Sequence, residues 1–110
     1  MSLLTLTTSH DKEAVRVSLM GELDMSSALV FDEELRRIEA DGSPTTLVLD
    51  LQKLKFLDST GLRLILSAHS RARRCGRRLR IVPGSDAVKR IFRLTGMNDR
   101  LDFVEDVPLT

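Results

Sequence analysis

The residues best suited to chemistry in this chain lie in the stretch Asp58-Ser59-Thr60-Gly61-Leu62. The apolar run Leu47–Leu51 predicts a buried strand. After the connector Gln52–Phe56, a helix is expected to begin at Asp58 or Ser59, because Asp and Ser are preferred helix N-caps. The free N–H groups and the dipole of a helix N-terminus favour negative charge. Ser59 could therefore carry a phosphate without unfolding the helix, or it could act only as a helix cap.

Three acidic residues are expected near Ser59. Glu22 and Asp24 close the second predicted strand, and Asp58 directly precedes the serine. If the ends of the strands gather at one edge of the sheet, these carboxylates surround the serine hydroxyl. The site would then combine a modifiable hydroxyl group with several negative charges.

The sequence argues against catalysis at this serine. His69 lies ten residues after Ser59 on the same predicted helix, which separates the two by roughly 15 Å, against the roughly 3 Å that proton transfer requires. The other histidine, His10, falls in a predicted turn. The chain lacks a G-x-S-x-G nucleophile motif, since position 57 is Leu, and it has no P-loop or Rossmann glycine pattern. We therefore expect no catalytic residues, no enzymatic activity and no cofactor.

Length and composition indicate a single domain spanning residues 1–110. The chain has a mass of 12.4 kDa and one cysteine, Cys75, which excludes an internal disulfide, and two histidines are too few to complete a zinc site with it. No metal is expected. The N-terminus lacks the features of a signal peptide and no apolar run is long enough to span a bilayer, so a cytoplasmic location without membrane insertion is expected.

Positive charge is concentrated in one part of the chain. Residues 59–98 contain ten Lys or Arg residues and one acidic residue, Asp86. The run Arg71–Arg80 could contact nucleic acid phosphates, but a helix C-terminus followed by a solvated strand edge is the favoured interpretation. Trp and Tyr are absent, so aromatic stacking on bases is not supported. No nucleic acid partner is expected.

The elements that would position Ser59 are expected in the order β-β-α-β-α-β-α-β. The first two strands form a hairpin with its turn at Ser9–Glu13, and the second strand ends at Gly21. A helix from about Ser26 to Ala40, a strand at 46–51 and a helix from Ser59 to Cys75 follow. The last elements are a strand at Leu79–Val82, a helix capped by Ser85 and stopped by Gly96, and a short strand near Leu101–Val104. Strands alternating with helices predict an α/β fold with a mixed, mostly parallel sheet of about five strands. Cys75 is expected on the apolar, core-facing side of its helix.

Three motifs resemble the STAS domains of bacterial anti-sigma factor antagonists. They are Gly21-Glu22-Leu23-Asp24, Asp58-Ser59-Thr60-Gly61-Leu62 and Val88-x-x-Ile91-Phe92-x-Leu94-Thr95-Gly96-Met97. The resemblance extends over essentially the whole chain, and the Asp-Ser-Thr-Gly element is its most specific part. It implies a STAS-like fold and a partner-switching protein without catalytic activity.

The resemblance also implies partners and roles for individual residues. The unphosphorylated antagonist would bind an anti-sigma factor and release the sigma factor. That anti-sigma factor would be a serine kinase of the histidine-kinase-like ATPase fold that phosphorylates Ser59, and a PP2C-type phosphatase would restore the serine. The partner-binding residues implied are Asp24, Asp58, Ser59, Thr60, Gly61 and Leu62. Thr60 is an alternative phosphorylation site, and a non-phosphorylated STAS subunit of a lipid-transport ABC complex, or another STAS interaction module, is the alternative function.

Overall fold

The computed structural model describes residues 3–12, 14–41 and 44–105, which form five strands, three α-helices and one short 3-10 helix. In chain order these are β1 (Leu4–Asp11), β2 (Ala14–Leu23), α1 (Ala28–Ala40), β3 (Thr46–Leu57), α2 (Ser59–Arg74), β4 (Arg78–Val82), α3 (Asp86–Leu94), the 3-10 helix (Met97–Asp99) and β5 (Asp102–Phe103). The predicted order of strands and helices is confirmed. No helix in the described ranges is long and apolar enough to cross a membrane.

The five strands form one sheet in the order β1-β2-β3-β4-β5. The hairpin partners β1 and β2 are antiparallel, and every other neighbouring pair is parallel. Each parallel connection contains a helix, because a chain that re-enters a sheet in the same direction must cross back over one of its faces. The predicted mixed, mostly parallel α/β sheet is confirmed.

The core lies between one face of the sheet and the buried sides of the helices. Alternate residues of β2 are buried, which is the period of a strand with one face in the core. The same hydrophobic cluster includes Phe31 and Leu35 of α1, Ile65 of α2 and Phe92 of α3. On the other face of the sheet, the Arg16 guanidinium contacts the Asp50 carboxylate at 2.7 Å.

Both strands that lead to the Asp58-Ser59 stretch are longer than predicted. β2 continues through Gly21 to Leu23, and β3 contains residues 52–56, which the sequence had indicated as a connector. Two register shifts between β2 and β3 explain the error, because a bulge breaks the two-residue alternation by which a strand is recognised. The buried residues at this end of β3 are spaced by three: Leu51, Leu54 and Leu57.

Other predicted boundaries also need correction. β1 extends to Asp11, so most of the predicted turn Ser9–Glu13 is strand, and Glu13 lies outside the described residues. α2 ends at Arg74, and Cys75 is exposed, so its predicted position in the core is wrong. Cys75 follows the last helical residue, where the backbone leaves the helix and the apolar periodicity no longer applies.

Candidate functional site

The Asp58-Ser59 stretch lies where β2 and β3 end side by side. Leu23 and Leu57 are register partners at the last position of the two strands. The backbone N–H of Asp58 then donates to the carbonyl oxygen of Leu23 at 3.2 Å. The loop after β2 and the start of α2 are therefore adjacent, as predicted from the parallel strands.

Asp58 is the residue that caps α2. Its backbone is extended, and its Oδ1 accepts a hydrogen bond from the N–H of Gly61 at 3.0 Å. Its Oδ2 accepts from the N–H of Met25, in the turn after β2, at 3.1 Å. One carboxylate thus satisfies a free N–H of the first helical turn and also ties the β2–α1 turn to α2.

Asp24 uses its carboxylate to fold the turn that leads into α1. Its Oδ1 accepts from the N–H groups of Ser26 at 3.0 Å and Ser27 at 3.1 Å, and from the Ser26 hydroxyl at 2.9 Å. The buried Ser27 hydroxyl donates to the carbonyl oxygen of Glu22 at 2.8 Å. This turn delays the helix, so α1 begins at Ala28 rather than near Ser26. Asp24 therefore supports the loop beside Asp58.

Ser59 is the first residue of α2, and it is exposed, whereas Thr60 is half-buried. Because Asp58 caps the helix, the Ser59 hydroxyl is not required for that role. Helix geometry leaves the N–H groups of the first two positions without an intrahelical acceptor. Arg63, four residues further on, is exposed on the same side of the helix as Ser59. This end of α2 can therefore stabilise an anionic group attached to Ser59.

Gly61 and Leu62 are the buried residues that pack the start of α2 against the protein interior. A Cβ atom added at Gly61 would lie 2.7 Å from Leu23 Cγ and 2.7 Å from Leu57 Cδ1, so only glycine lets α2 approach the two strand ends. The Leu62 side chain is buried at 7% exposure. Both residues are buried against the strand ends. Partner contact by Asp24, Asp58, Ser59, Thr60, Gly61 and Leu62 stays a prediction.

Large apolar side chains that the sequence reasoning did not single out flank this end of the sheet. Met25 is 78% exposed and Phe56 is 47% exposed. The Met25 backbone is bonded to the Asp58 carboxylate, and Phe56 lies two residues before Asp58 and pairs with Glu22 of β2. The one sequence signal for an exposed Met25 is that this apolar residue lies between the polar residues Asp24 and Ser26. Exposed apolar residues beside a modifiable group are candidates for contact with another protein.

The described residues place neither histidine near Ser59. His10 is on β1 at the edge of the sheet, and His69 is half-buried farther along α2. Burial and the positive charge of Arg73 lower the pKa of His69 below its ordinary value. Within the described ranges there is also no group of three or more His, Cys, Asp or Glu residues able to hold a metal. The groups around Ser59 are suited to stabilising a negatively charged group on this residue and to contact with another protein.

Comparison with known proteins gives consistent matches over nearly the whole chain. The family model described as "Mlab, STAS domain" matches residues 6–105. The anti-sigma-B factor antagonist of Staphylococcus aureus is 31% identical over 99 residues, covering 90% of each chain. The crystal structure of an anti-sigma factor antagonist from Mycobacterium paratuberculosis superposes with a TM-score of 0.86 at 26% identity, covering 96% of this chain and 88% of that one.

A third match extends the likeness in fold. Unphosphorylated SpoIIAA, an anti-sigma factor antagonist, superposes with a TM-score of 0.77 at 22% identity, covering 94% of this chain and 90% of that one. The phosphorylated form of SpoIIAA, from Bacillus, superposes with a TM-score of 0.70 at 21% identity, covering 94% and 93%. Both forms therefore share the fold of this chain.

Proposed function

This chain belongs to the STAS-domain family of anti-sigma factor antagonists, and from that premise we propose that it is a partner-switching protein. Its unphosphorylated form binds an anti-sigma factor and thereby releases a sigma factor. The names of the Staphylococcus aureus relative and of the Mycobacterium paratuberculosis structure support this proposal. Phosphorylation of Ser59 ends the interaction.

One observation carries the assignment of Ser59 as the switch: Asp58, and not Ser59, caps α2. Ser59 is exposed, and among the described residues the cap bond to the Gly61 N–H comes from Asp58, so a phosphate can replace the hydroxyl proton of Ser59 without breaking the cap. The dipole and the free N–H groups of α2 accommodate the added charge. Thr60 is half-buried, which favours Ser59 over Thr60 as the phosphorylated residue.

Phosphate acts on the partner rather than on the fold. A phosphoserine adds about −1.5 to −2 charges beside Asp58 and the Asp24 turn. A partner that docks over Ser59 and the exposed Met25, whose backbone is bonded to Asp58, then meets a bulky dianion. The likeness of this chain to both the unphosphorylated and the phosphorylated form of SpoIIAA supports a fold that persists through the switch.

The proposal extends to the enzymes that act on Ser59 and to the cellular context. The anti-sigma factor is a serine kinase of the histidine-kinase-like ATPase fold, and a PP2C-type phosphatase reverses its action. The chain itself is a binding module without catalytic activity that works in the cytoplasm and does not bind nucleic acid. The separation of His69 and His10 from Ser59 supports a module without catalysis, because neither can act as its base.

The alternative function is that of a STAS subunit in a lipid-transport ABC complex or of another STAS interaction module. The description of the matching family model, "Mlab, STAS domain", does not name an antagonist. The two functions make different demands on Ser59. A switch requires a phosphate on Ser59, whereas a subunit that is not phosphorylated requires only its surface.

Phosphorylation by the cognate anti-sigma factor kinase with ATP, followed by peptide mass spectrometry, tests the proposal. We expect one phosphate on Ser59 in the parent protein and in Thr60→Val, and none in Ser59→Ala. Ser67→Ala, which removes an exposed hydroxyl elsewhere on α2, is the matched control and should be phosphorylated normally. Transfer of phosphate to Thr60, or no transfer to the parent protein, would count against the switch.

A further inference from the structure

A cavity of about 280 Å³ lies at the end of α2 that is opposite Ser59. It opens between the C-terminal ends of α1 and α2 and the first residues of β3 and β4, and Leu47, Ala68 and Ala72 provide part of its apolar lining. The lining residues from this part of the chain run from Ala68 to Cys75, so at about 1.5 Å per residue the cavity lies roughly 14–24 Å from Ser59 along the helix axis. It is therefore a separate site.

Arginine residues surround this cavity. Arg71 is engaged by Glu39, whose two carboxylate oxygens accept hydrogen bonds from the guanidinium at 2.8 Å and 2.9 Å. In the part of the chain that the structure describes, no carboxylate lies within ion-pair distance of the other three guanidinium groups that line the cavity. These are Arg74, Arg77 and Arg78. The cavity thus combines an apolar interior with three arginine residues at its border that pair with no carboxylate of the described residues.

We propose that this arginine-bordered cavity binds a small amphiphilic anion, that is, an apolar chain with a phosphate or carboxylate head. The apolar chain would fill the interior against Ala68 and Ala72, which removes apolar surface of both molecules from water. The head group would be held by the three guanidinium groups, whose planar donors match carboxylate and phosphate oxygens. At about 30 Å³ per water-sized group, a volume of about 280 Å³ holds roughly nine such groups, which corresponds to a chain of medium length.

The apolar lining decides which way round the ligand enters, because a charged head group loses its hydration in the interior and keeps it at the arginine border. The carbonyl ends of α1 and α2 also lie at this end of the fold and disfavour a bare anion, so the head group depends on the guanidinium groups. Neither inorganic phosphate alone nor an uncharged chain alone satisfies both halves of the cavity. Recognition therefore requires the two parts in one molecule.

Binding of octyl phosphate and of octanoate to the full-length protein, below their micelle concentrations, tests the proposal by calorimetry. We expect saturable binding with a Kd of about 0.1 mM or tighter for the better of the two heads. Octanol and inorganic phosphate should each bind at least about tenfold more weakly, because each lacks one half of the ligand. The comparison of octyl phosphate with octanoate separates a phosphate head group from a carboxylate head group.

Cys75 provides a second measurement, because it is the one cysteine of the chain, it is exposed, and it lines this cavity. Saturating octyl phosphate should slow alkylation of Cys75 by iodoacetamide at least fivefold, about the protection expected of a site more than 80% occupied. Inorganic phosphate should leave the rate unchanged. Unchanged alkylation in the presence of bound octyl phosphate would place the ligand elsewhere and overturn the proposal.

Variants locate the site. Arg74→Gln with Arg78→Gln should weaken octyl phosphate binding at least about tenfold, whereas the matched pair Arg90→Gln with Arg93→Gln, on the exposed side of α3, should leave it unchanged. Ala72→Phe, checked for folding by circular dichroism, should block the interior. Equal weakening by both arginine pairs would show general charge attraction and overturn the proposal, as would the absence of saturable binding. This cavity is independent of the proposed switch, so neither the presence nor the absence of ligand binding there bears on the role of Ser59.

Discussion

Replacing Asp58 by Ala should destabilise the protein far more than replacing Ser59 by Ala. Loss of the N-cap bond to the Gly61 N–H costs about 1 kcal/mol. Loss of the bond to the Met25 N–H, which is more exposed, adds about 1 kcal/mol. The total of about 2 kcal/mol corresponds to a decrease in Tm of about 8 °C for a chain of this size. Ser59→Ala should stay within about 0.5 kcal/mol of the parent, because this hydroxyl caps nothing.

Urea unfolding followed by circular dichroism measures these differences, provided that the m-value is unchanged. Asp58→Asn is the discriminating variant. Its amide oxygen can still accept from the Gly61 N–H, but its NH₂ group cannot accept from the Met25 N–H, so about half of the loss should remain. Equal destabilisation by Ser59→Ala and Asp58→Ala would refute the assignment of Asp58 as the cap and leave Ser59 with a structural role.

Two further outcomes follow from the packing of α2. Gly61→Ala should lower the free energy of unfolding by about 1–3 kcal/mol in urea titrations, because the new methyl group would overlap Leu23 and Leu57; an unchanged or higher stability would contradict this close approach. Burial, together with the positive charge of Arg73, lowers the pKa of His69 from its ordinary value of 6.5. The free energy of unfolding should therefore keep its full value above pH 6.5 and decrease as the pH falls below 6.5, because the unfolded chain then binds a proton that the folded protein disfavours. His69→Gln should remove that loss in Tm measurements, and NMR titration giving a pKa at or above 6.5 would contradict it.

Local chemistry explains why part of the site could be predicted from the sequence. An Asp-Ser pair between an apolar strand and an apolar run of helical period is a local signal for a helix start, so the positions of Asp58 and Ser59 could be predicted from neighbouring residues alone. Which of the two residues caps the helix depends on whose side chain reaches the Gly61 N–H, and only the three-dimensional structure shows that it is Asp58.

The remaining features depend on contacts between distant parts of the chain. The second half of β3 was missed because bulges against β2 change its burial period. The hydrogen bond between the Met25 N–H and Asp58 joins residues 33 positions apart, and the local sequence around neither residue predicts it. The cavity near Cys75 is formed by α1, α2, β3 and β4 together, so residues with no common periodicity line it.

Calorimetric titration of three proteins against the purified anti-sigma factor tests the central claim most directly. Ser59→Ala should bind like the unphosphorylated parent protein. Ser59→Asp should bind roughly 30- to 700-fold more weakly, which corresponds to the loss of about 2–4 kcal/mol at a central contact, while its Tm stays within a few degrees of the parent because Asp58 still caps α2. Equal affinities of all three proteins would contradict the claim that Ser59 is the switch.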